Sequence, residues 1–289
     1  MSDPASSPTT ARRALALQLR QLRTDAGLTV AQASEASGVS ESKITKIELA
    51  HVRVSGDDLA TLAKAYGGVS KQHLSQLQGM VRTSSEKEWW ERRDLKLPPK
   101  LDNYLRLEAV ATELRAYDPS LIHGLVQTAD YARTVIKAGR PDLLAHEVQQ
   151  LVDTRVRRQE VLTRTSPPPL TLWFVMDEAV LRRQIGGRDV MIAQLQKLIE
   201  ASERPNINLL VMPDSLGAHA GLGSPLAILQ FETGTRPVAY IEGHGGNLYM
   251  EKDDDLRRCH QTFTHILASA PSPEQSLALI TQISEEMRS

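Results

Sequence analysis

The segment that decides the fold of the N-terminal part is residues 27–48, GLTVAQASEASGVSESKITKIE. Thr29 precedes a run with helical spacing, residues 30–37, and a threonine at that place can cap the first turn of a helix. Gly38 follows the run, and glycine supplies the positive φ that a tight turn requires. Ser40 can cap a second short helix. The segment therefore predicts two short helices joined by a glycine turn, which is the helix-turn-helix arrangement.

Helical periodicity continues on both sides of this motif. Leucines recur at helical spacing before it, and Ser55 and Ser70 stand where the caps of a fourth and a fifth helix are expected. We predict a mainly α domain of five helices over residues 11–82. Residues 1–10 are rich in Ser, Thr and Pro and are predicted to be a disordered tail.

The second short helix of the motif presents a polar outer face. Ile44 and Ile47 point inward, which leaves small polar residues and lysines on the opposite side. A protruding helix of this kind can enter the major groove, where its side chains contact base edges and phosphates. A helical bundle with a solvated polar face is the alternative explanation. The residues predicted to bind DNA are Thr29, Gln32, Ser40, Glu41, Ser42, Lys43, Thr45, Lys46 and Arg53.

Residues 19–29 and 36–48 together resemble the XRE-type, phage-repressor-like helix-turn-helix. The resemblance implies a five-helix domain that binds a double-stranded DNA operator as a homodimer, and it implies a structural ion pair between Arg23 and Glu48. Three residues depart from the family pattern: Val30 stands where Gln is usual, Ala50 where Gly is usual, and Val54 where Pro is usual. Val30 removes a side-chain contact to phosphate. Ala50 is expected to strain the end of the recognition helix.

The composition limits the class of protein. The chain has 289 residues, a formal net charge of −1 and a single cysteine, which excludes an internal disulfide framework and a cysteine-rich zinc cluster. Residues 1–82 carry ten Lys and Arg against seven Asp and Glu, so this part is +3 and the remainder is −4. No apolar run approaches the roughly 20 residues of a membrane span, and the N-terminus lacks the features of a secretion signal. We expect a cytoplasmic, nucleoid-associated protein of about two domains that does not bind a membrane.

A change of composition marks residues 83–100. This segment mixes charges with the pairs Trp89-Trp90 and Pro98-Pro99. We predict a linker or docking segment, in which the tryptophans pack on the second domain rather than on a ligand.

The remaining residues, 101–289, are predicted to form an α+β domain with a small, mostly antiparallel sheet. Residues 226–231 and 238–241 flank a turn at 233–235 and are predicted to pair as a hairpin. Three prolines at 167–169 are expected to end a long helix sharply. Further strands are predicted at 170–176, 207–212 and 248–250, and helical segments at 105–114, 131–133, 146–164, 190–202, 254–270 and 273–287.

Several short motifs of this second part are similar to the effector domain of a large family of actinobacterial XRE regulators. The resemblance implies an antitoxin-like transcription factor, and many such regulators are encoded beside a small partner protein. It implies no cofactor and no catalytic residue. His123 and Val126 stand where the family usually has Pro and Leu. The motifs, in chain order, lie at residues 114–117, 124–132, 155–159, 177–183, 211–213 and 240–242.

Patterns that would indicate an enzyme or a metal site are incomplete. His146-Glu147 begins like a zinc-protease helix, but Gln150 stands in place of the second histidine. Residues 221–224, GLGS, match neither a dinucleotide fingerprint nor a nucleophile elbow. Glu242 and His244 could share one face of a strand, and we interpret them as structural.

Four further residues carry reactive side chains. Asp177-Glu178 is predicted to cap the following helix or to pair with an arginine, since adjacent strand residues face opposite sides. Cys259 is predicted to be a buried or half-buried thiol, and His219 is predicted to have no partner. We therefore expect no enzyme, no metal and no cofactor.

Two regulatory hypotheses follow from the sequence. The first is a dimeric repressor or activator whose second domain binds a small partner protein. The second is a one-component regulator whose second domain senses a small molecule in an apolar pocket with a few polar groups. A hydrolase tethered to DNA is a third and weaker hypothesis.

Overall fold

The computed structural model describes residues 8–86, 101–165, 167–222, 224–232, 236–243 and 248–289. The chain divides into two compact units, Met1–Asp94 and Leu95–Ser289. The paired tryptophans and prolines of the predicted docking segment lie outside the described residues, as do the hairpin turn at 233–235 and His244.

The first unit is the predicted domain of five helices. Its core is aliphatic and is formed by residues such as Leu19, Ile44 and Leu62, which are fully buried. The helices are α1 (Pro8–Asp25), α2 (Val30–Ser37), α3 (Glu41–Glu48), α4 (Gly56–Ala65) and α5 (Lys71–Ser85).

Two boundaries of this unit differ from the sequence prediction. Helix α1 begins at Pro8, so residues 8–10 are helical and do not belong to a disordered tail. Proline is well tolerated in the first turn of a helix because the N–H it lacks has no partner there. Helix α5 ends at Ser85, three residues inside the predicted linker.

Side-chain caps define the ends of the short helices. Thr29 and Ser55 form capping boxes, and Ser40 and Ser70 accept a backbone N–H in the first turn of α3 and α5. Gly38 has a φ of 71° and ends α2, as predicted. Local sequence signals therefore fix all four of these helix starts.

The second unit is α+β. Its helices are α6 (Leu101–Val110), α7 (Ala129–Gly139), α8 (Ala145–Arg158), α9 (Glu178–Arg182), α10 (Arg188–Ser202), α11 (Asp253–Ser269) and α12 (Pro273–Arg288). Its strands are β1 (Glu113–Asp118), β2 (Thr171–Asp177), β3 (Ile207–Met212), β4 (Leu226–Gln230), β5 (Val238–Ile241) and β6 (Leu248–Met250). Short 3₁₀ turns lie at Gly124–Val126, Gln159–Leu162 and Asp214–Leu216.

The six strands form one sheet in the order β3-β2-β1-β4-β5-β6. Strands β1, β2 and β3 are parallel, and the other three adjacent pairs are antiparallel. The sheet is thus mostly antiparallel, as predicted, and the predicted hairpin is the pair β4–β5. The helices α7 to α10 belong to the two crossovers that parallel strands require.

Strand β1 was wrongly predicted to be part of a helical region. It lies in the centre of the sheet, where Leu114 and Ala116 are buried on one face and Tyr117 is buried on the other. Its polar–apolar alternation covers only residues 113–116, because Ala116 and Tyr117 are both buried. So short a pattern does not separate a strand from the helical pattern before it.

The long helix predicted over residues 146–164 also ends early. Helix α8 stops at Arg158 and a 3₁₀ turn follows. After this turn the Arg164 side chain donates hydrogen bonds to the carbonyl oxygens of Ala111 and Pro168, which hold the segment that leads into β2.

The sheet separates two cores. Most helices of the second unit pack on the face that carries Leu114, Phe174 and Val238. Helix α11 covers the opposite face with Phe263 and neighbouring side chains. Cys259 is buried in that second core, as predicted.

Candidate functional site

An ion pair fixes the position of α3 against α1. Arg23 Nε donates to Glu48 Oε1 over 2.6 Å and Nη2 donates to Oε2 over 2.9 Å, while Nη1 donates to the carbonyl oxygen of Leu28 over 2.7 Å. The hydrogen bond to Glu48 raises the pKa of Arg23. Burial raises the pKa of the adjacent Tyr66 hydroxyl to about 12. This is the pair that the resemblance implies, and it holds the helix that carries the polar face.

The outer face of α3 is exposed, and three of its side chains have no internal hydrogen bond or ion pair among the described residues. Ile44 and Ile47 are buried, whereas Glu41, Ser42, Thr45 and Lys46 are exposed. In the part of the chain that the structure describes, no side-chain hydrogen bond or ion pair engages Ser42, Thr45 or Lys46. Two hydroxyl groups and one ammonium group therefore point to solvent from one short helix.

Three of the residues predicted to bind DNA also cap the starts of α2 and α3. Thr29 Oγ1 accepts the backbone N–H of Gln32 over 3.2 Å, and Gln32 Oε1 accepts the backbone N–H of Thr29 over 2.9 Å. Ser40 Oγ accepts the N–H of Lys43 over 3.3 Å. The side-chain amide nitrogen of Gln32 is left available at the start of α2.

Lys43 has a partner that the sequence reasoning missed. Its Nζ lies 2.7 Å from Asp58 Oδ1 on α4, and its side chain is 47% exposed. Burial opposes ionisation of Asp58, but the hydrogen bonds from Lys43 and Ser55 hold the pKa of this carboxyl below its ordinary value. The capping pattern Ser55–Asp58 was visible in the sequence, but not its proximity to α3.

Arg53 lies in the loop that follows α3. Its side chain is exposed, and Nη1 donates to the carbonyl oxygen of Ser85 at the end of α5. Ala50, in the same connection, has a φ of 57° and is the one non-glycine residue with a positive φ among the described residues. The strain that was expected at the end of the recognition helix is therefore present.

In the second unit, two of the sequence motifs meet. Gln159 Nε2 donates to the carbonyl oxygens of Gly124 and Gln127, over 2.9 and 2.8 Å. Lys197 Nζ donates to the Gln127 carbonyl and to Gln159 Oε1, both over 2.7 Å. Arg155 Nη1 donates to Gln127 Oε1 over 2.9 Å. The 3₁₀ turn after β1 is thereby tied to the end of α8.

The carboxylates at the end of β2 have separate partners. Asp177 Oδ1 accepts the hydroxyl of Tyr117 over 2.9 Å, and Glu178 pairs with Arg182, as one of its predicted roles required. The prediction that His219 has no partner is wrong. Its Nδ1 accepts the N–H of Gly221, and its Nε2 lies 3.7 Å from Asp177 Oδ1.

Two family comparisons agree with this division of the chain. A helix-turn-helix domain family matches residues 14–77. A second family, a domain of unknown function designated DUF5753, matches residues 101–282, which is more than half of the chain. The chain belongs to the DUF5753 family. The domain that defines this family corresponds to the second unit. The helix-turn-helix match indicates that the chain is a DNA-binding regulator.

No curated protein and no solved structure matches this DUF5753 member. Among its described residues, no helix is both long and apolar enough to cross a membrane.

Proposed function

We propose that this DUF5753 member is a sequence-specific transcriptional regulator that binds a double-stranded DNA operator as a homodimer. The observation that carries the proposal is the outer face of α3, where Ser42, Thr45 and Lys46 are exposed and their side chains make no hydrogen bond or ion pair within the described residues. Hydroxyl and ammonium groups on a protruding short helix are suited to base edges and phosphates.

Helix α2 supplies the second part of the proposed interface. Its first backbone N–H groups, at Val30 and Ala31, have no hydrogen-bond acceptor among the described residues. Such groups can bind a phosphate although Val30 lacks a polar side chain. The Gln32 amide lies at the same helix end, so α2 would fix the position of the domain on the DNA backbone.

The homodimer and the location follow from the same proposal. Helix-turn-helix regulators that read two half-sites need two recognition helices related by a twofold axis. A regulator of this kind acts on chromosomal DNA, which places it in the cytoplasm with the nucleoid.

For the second unit we propose that it binds a small partner protein, in the manner of an antitoxin. In the described part of the chain, all the large hydrophobic side chains that are exposed belong to this unit, and a surface that docks a partner would draw on such side chains. They are Leu144, Val156, Leu216, Leu222 and Leu248. Co-purification with the product of the adjacent gene would test this, and its elution as a separate species would contradict it.

A second candidate function is sensing of a small molecule by the same unit. The observation that favours it is the pair of guanidinium groups at the end of α8, of which Arg155 is held by the motif network described above. The two functions are compatible, because a ligand in the interior can alter a docking surface elsewhere.

Selection from a pool of random DNA duplexes tests the DNA-binding proposal directly. The full-length protein should enrich one sequence motif, and its affinity should fall steeply with salt, with a log–log slope of about −0.9 for each neutralised phosphate. Failure to enrich any motif under low-salt conditions would contradict the proposal.

A further inference from the structure

A row of residues crosses the helix-covered face of the sheet at one level. The register pairs Phe174 with Ala116, Ala116 with Ala227, Ala227 with Tyr240 and Tyr240 with Tyr249. Paired residues point to the same face, so two alanines lie between aromatic side chains. At a strand spacing of about 4.8 Å, the backbone positions of Phe174 and Tyr240 are about 14 Å apart. The two alanines, Ala116 and Ala227, therefore form a shallow floor between the aromatic rings of Phe174 and Tyr240.

Two further rings extend these boundaries above the sheet. The Tyr104 ring, from α6, lies 4.6 Å from that of Tyr240, and the His123 ring lies 5.7 Å from that of Phe174. Burial, together with the arginines nearby, lowers the pKa of His123 to about 3, so its imidazole is neutral. The two sides of the row are thus aromatic and uncharged.

The end of α8 places two guanidinium groups beside these rings. Arg158 lies over the Tyr104 ring at 5.6 Å, and a Cβ at Gly124 would lie 2.8 Å from Arg158 Nη2. Gly124 is therefore required for Arg158 to occupy this place. Burial and the charge of Arg158 lower the pKa of Arg155 to about 10. These two like charges are held close together inside the unit.

The hydrogen-bond acceptors around Arg155 and Arg158 do not engage all of the donors of these two guanidinium groups. Arg158 Nε lies 3.2 Å from Glu108 Oε1, but not in hydrogen-bonding geometry, and Arg155 donates only through Nη1 to Gln127 among the described residues. Glu108 is 1% exposed, and its Oε2 has no hydrogen-bond partner. Buried guanidinium groups are normally paired and hydrogen-bonded. Arg155 and Arg158 are half-buried, and the charges of the exposed Glu242 and of Glu108 both act on Arg155. Donor groups of the two guanidinium groups still have no acceptor among the described residues, so they can bind one further anionic group.

We propose that this cluster, formed by Ala116, Ala227, Tyr240, Arg155 and Arg158, is the binding site of a small aromatic carboxylic acid. The carboxylate accepts hydrogen bonds from the two guanidinium groups, and the ring lies on the alanine floor between the aromatic side chains. This site would serve the second candidate function, the sensing of a small molecule. Binding of the acid does not depend on that function; only the effect of the bound acid on transcription does.

The test measures binding to the full-length protein without DNA, so that its result is independent of operator recognition. Benzoate, 4-hydroxybenzoate and indole-3-acetate are the probes, and benzamide is the neutral control. We expect at least one acid to bind and to raise the Tm, because a ligand that binds only the folded state stabilises it. Benzamide should do neither. If none of the acids binds, or if benzamide binds as tightly as benzoate, the proposal is overturned.

Two substitutions locate the site. Arg155→Gln and Arg158→Gln should each weaken binding of the acid by about tenfold or more, since each removes charge-assisted hydrogen bonds. Arg157→Gln, on the exposed side of the same helix, is the matched control and should bind as the wild type does. Equal affinity in all three variants would show that the acid binds elsewhere and would overturn the assignment.

A third substitution keeps the proposal testable if an arginine variant does not fold. Ala227→Leu should fill the floor, abolish binding of the acid and leave the Tm of the free protein near that of the wild type. A large fall in Tm would mean that the floor is already filled, because extra methylene groups strain a closely packed core. That result would contradict the site.

Discussion

Arg23 on α1 and Glu48 at the end of α3 form a bidentate ion pair, and their side chains are only 11% and 7% exposed. Removing one partner would leave the other charge without compensation. We predict that Arg23→Ala lowers the free energy of unfolding of the first unit by about 2–4 kcal/mol. Calorimetry of the full chain would measure it, with the exposed Arg20→Ala on the same helix as the control. Equal stability of the two variants would show that the pair is not structural.

Ala50 provides a prediction of the opposite sign. Its φ of 57° is unfavourable for a residue with a Cβ. Ala50→Gly should therefore stabilise the first unit by about 0.5–1 kcal/mol. The same exchange at Ala60, exposed within α4, should destabilise it by about 1 kcal/mol. Equal signs for the two exchanges would contradict the explanation from strain.

Lys43 should contribute less to DNA affinity than Lys46 does. Lys43 is paired with Asp58, whereas no described side chain engages Lys46. Contact with DNA through Lys43 first requires that this pair be broken or shared. Lys43→Ala should therefore cost less binding free energy than Lys46→Ala in fluorescence anisotropy titrations, and Asp58→Asn should strengthen binding because it removes a negative charge from the interface. A larger loss for Lys43→Ala would reverse the assignment.

The half-buried His123 makes the stability of the second unit depend on pH. Its pKa is lowered to about 3 in the folded state, against about 6.5 in an unfolded chain. Below pH 6.5 the unfolded state therefore takes up a proton that the folded state does not, and stability is lost as the pH falls towards 3.

The measurement is the difference between the wild type and His123→Phe, since the raised pKa values of Glu108 and Asp118 act in the opposite direction in both proteins. The wild type should lose up to about 1.4 kcal/mol per pH unit relative to the variant in this range. Parallel pH profiles would show that His123 takes up its proton at the same pH in the folded and the unfolded protein.

The first unit could be predicted closely because its signals are local. A cap such as Ser40 and a turn residue such as Gly38 act within three or four positions of themselves, and the structure places the helix boundaries accordingly. The pairing of Lys43 with Asp58 joins residues fifteen positions apart, and nothing in the local pattern indicates it.

The second unit shows where such reasoning stops. The polar–apolar alternation of strand β1 covers only residues 113–116, and its neighbours β2 and β4 come from distant parts of the chain. The aromatic and guanidinium cluster depends on this register. Arg155 and Arg158 could be recognised in the sequence as part of a motif, but the alanines beneath them come from β1 and β4 and could be placed only by the structure.

The affinity of the Lys46→Ala variant for the duplex that the wild-type protein selects shows whether α3 reads the operator. Lys137→Ala, an exposed lysine on α7 of the second unit, is the charge-matched control. We predict that Lys46→Ala weakens binding by about 1–3 kcal/mol if Lys46 reads a base, while Lys137→Ala binds as the wild type does. Equal affinity of all three proteins for the selected duplex would contradict the claim that α3 reads the operator.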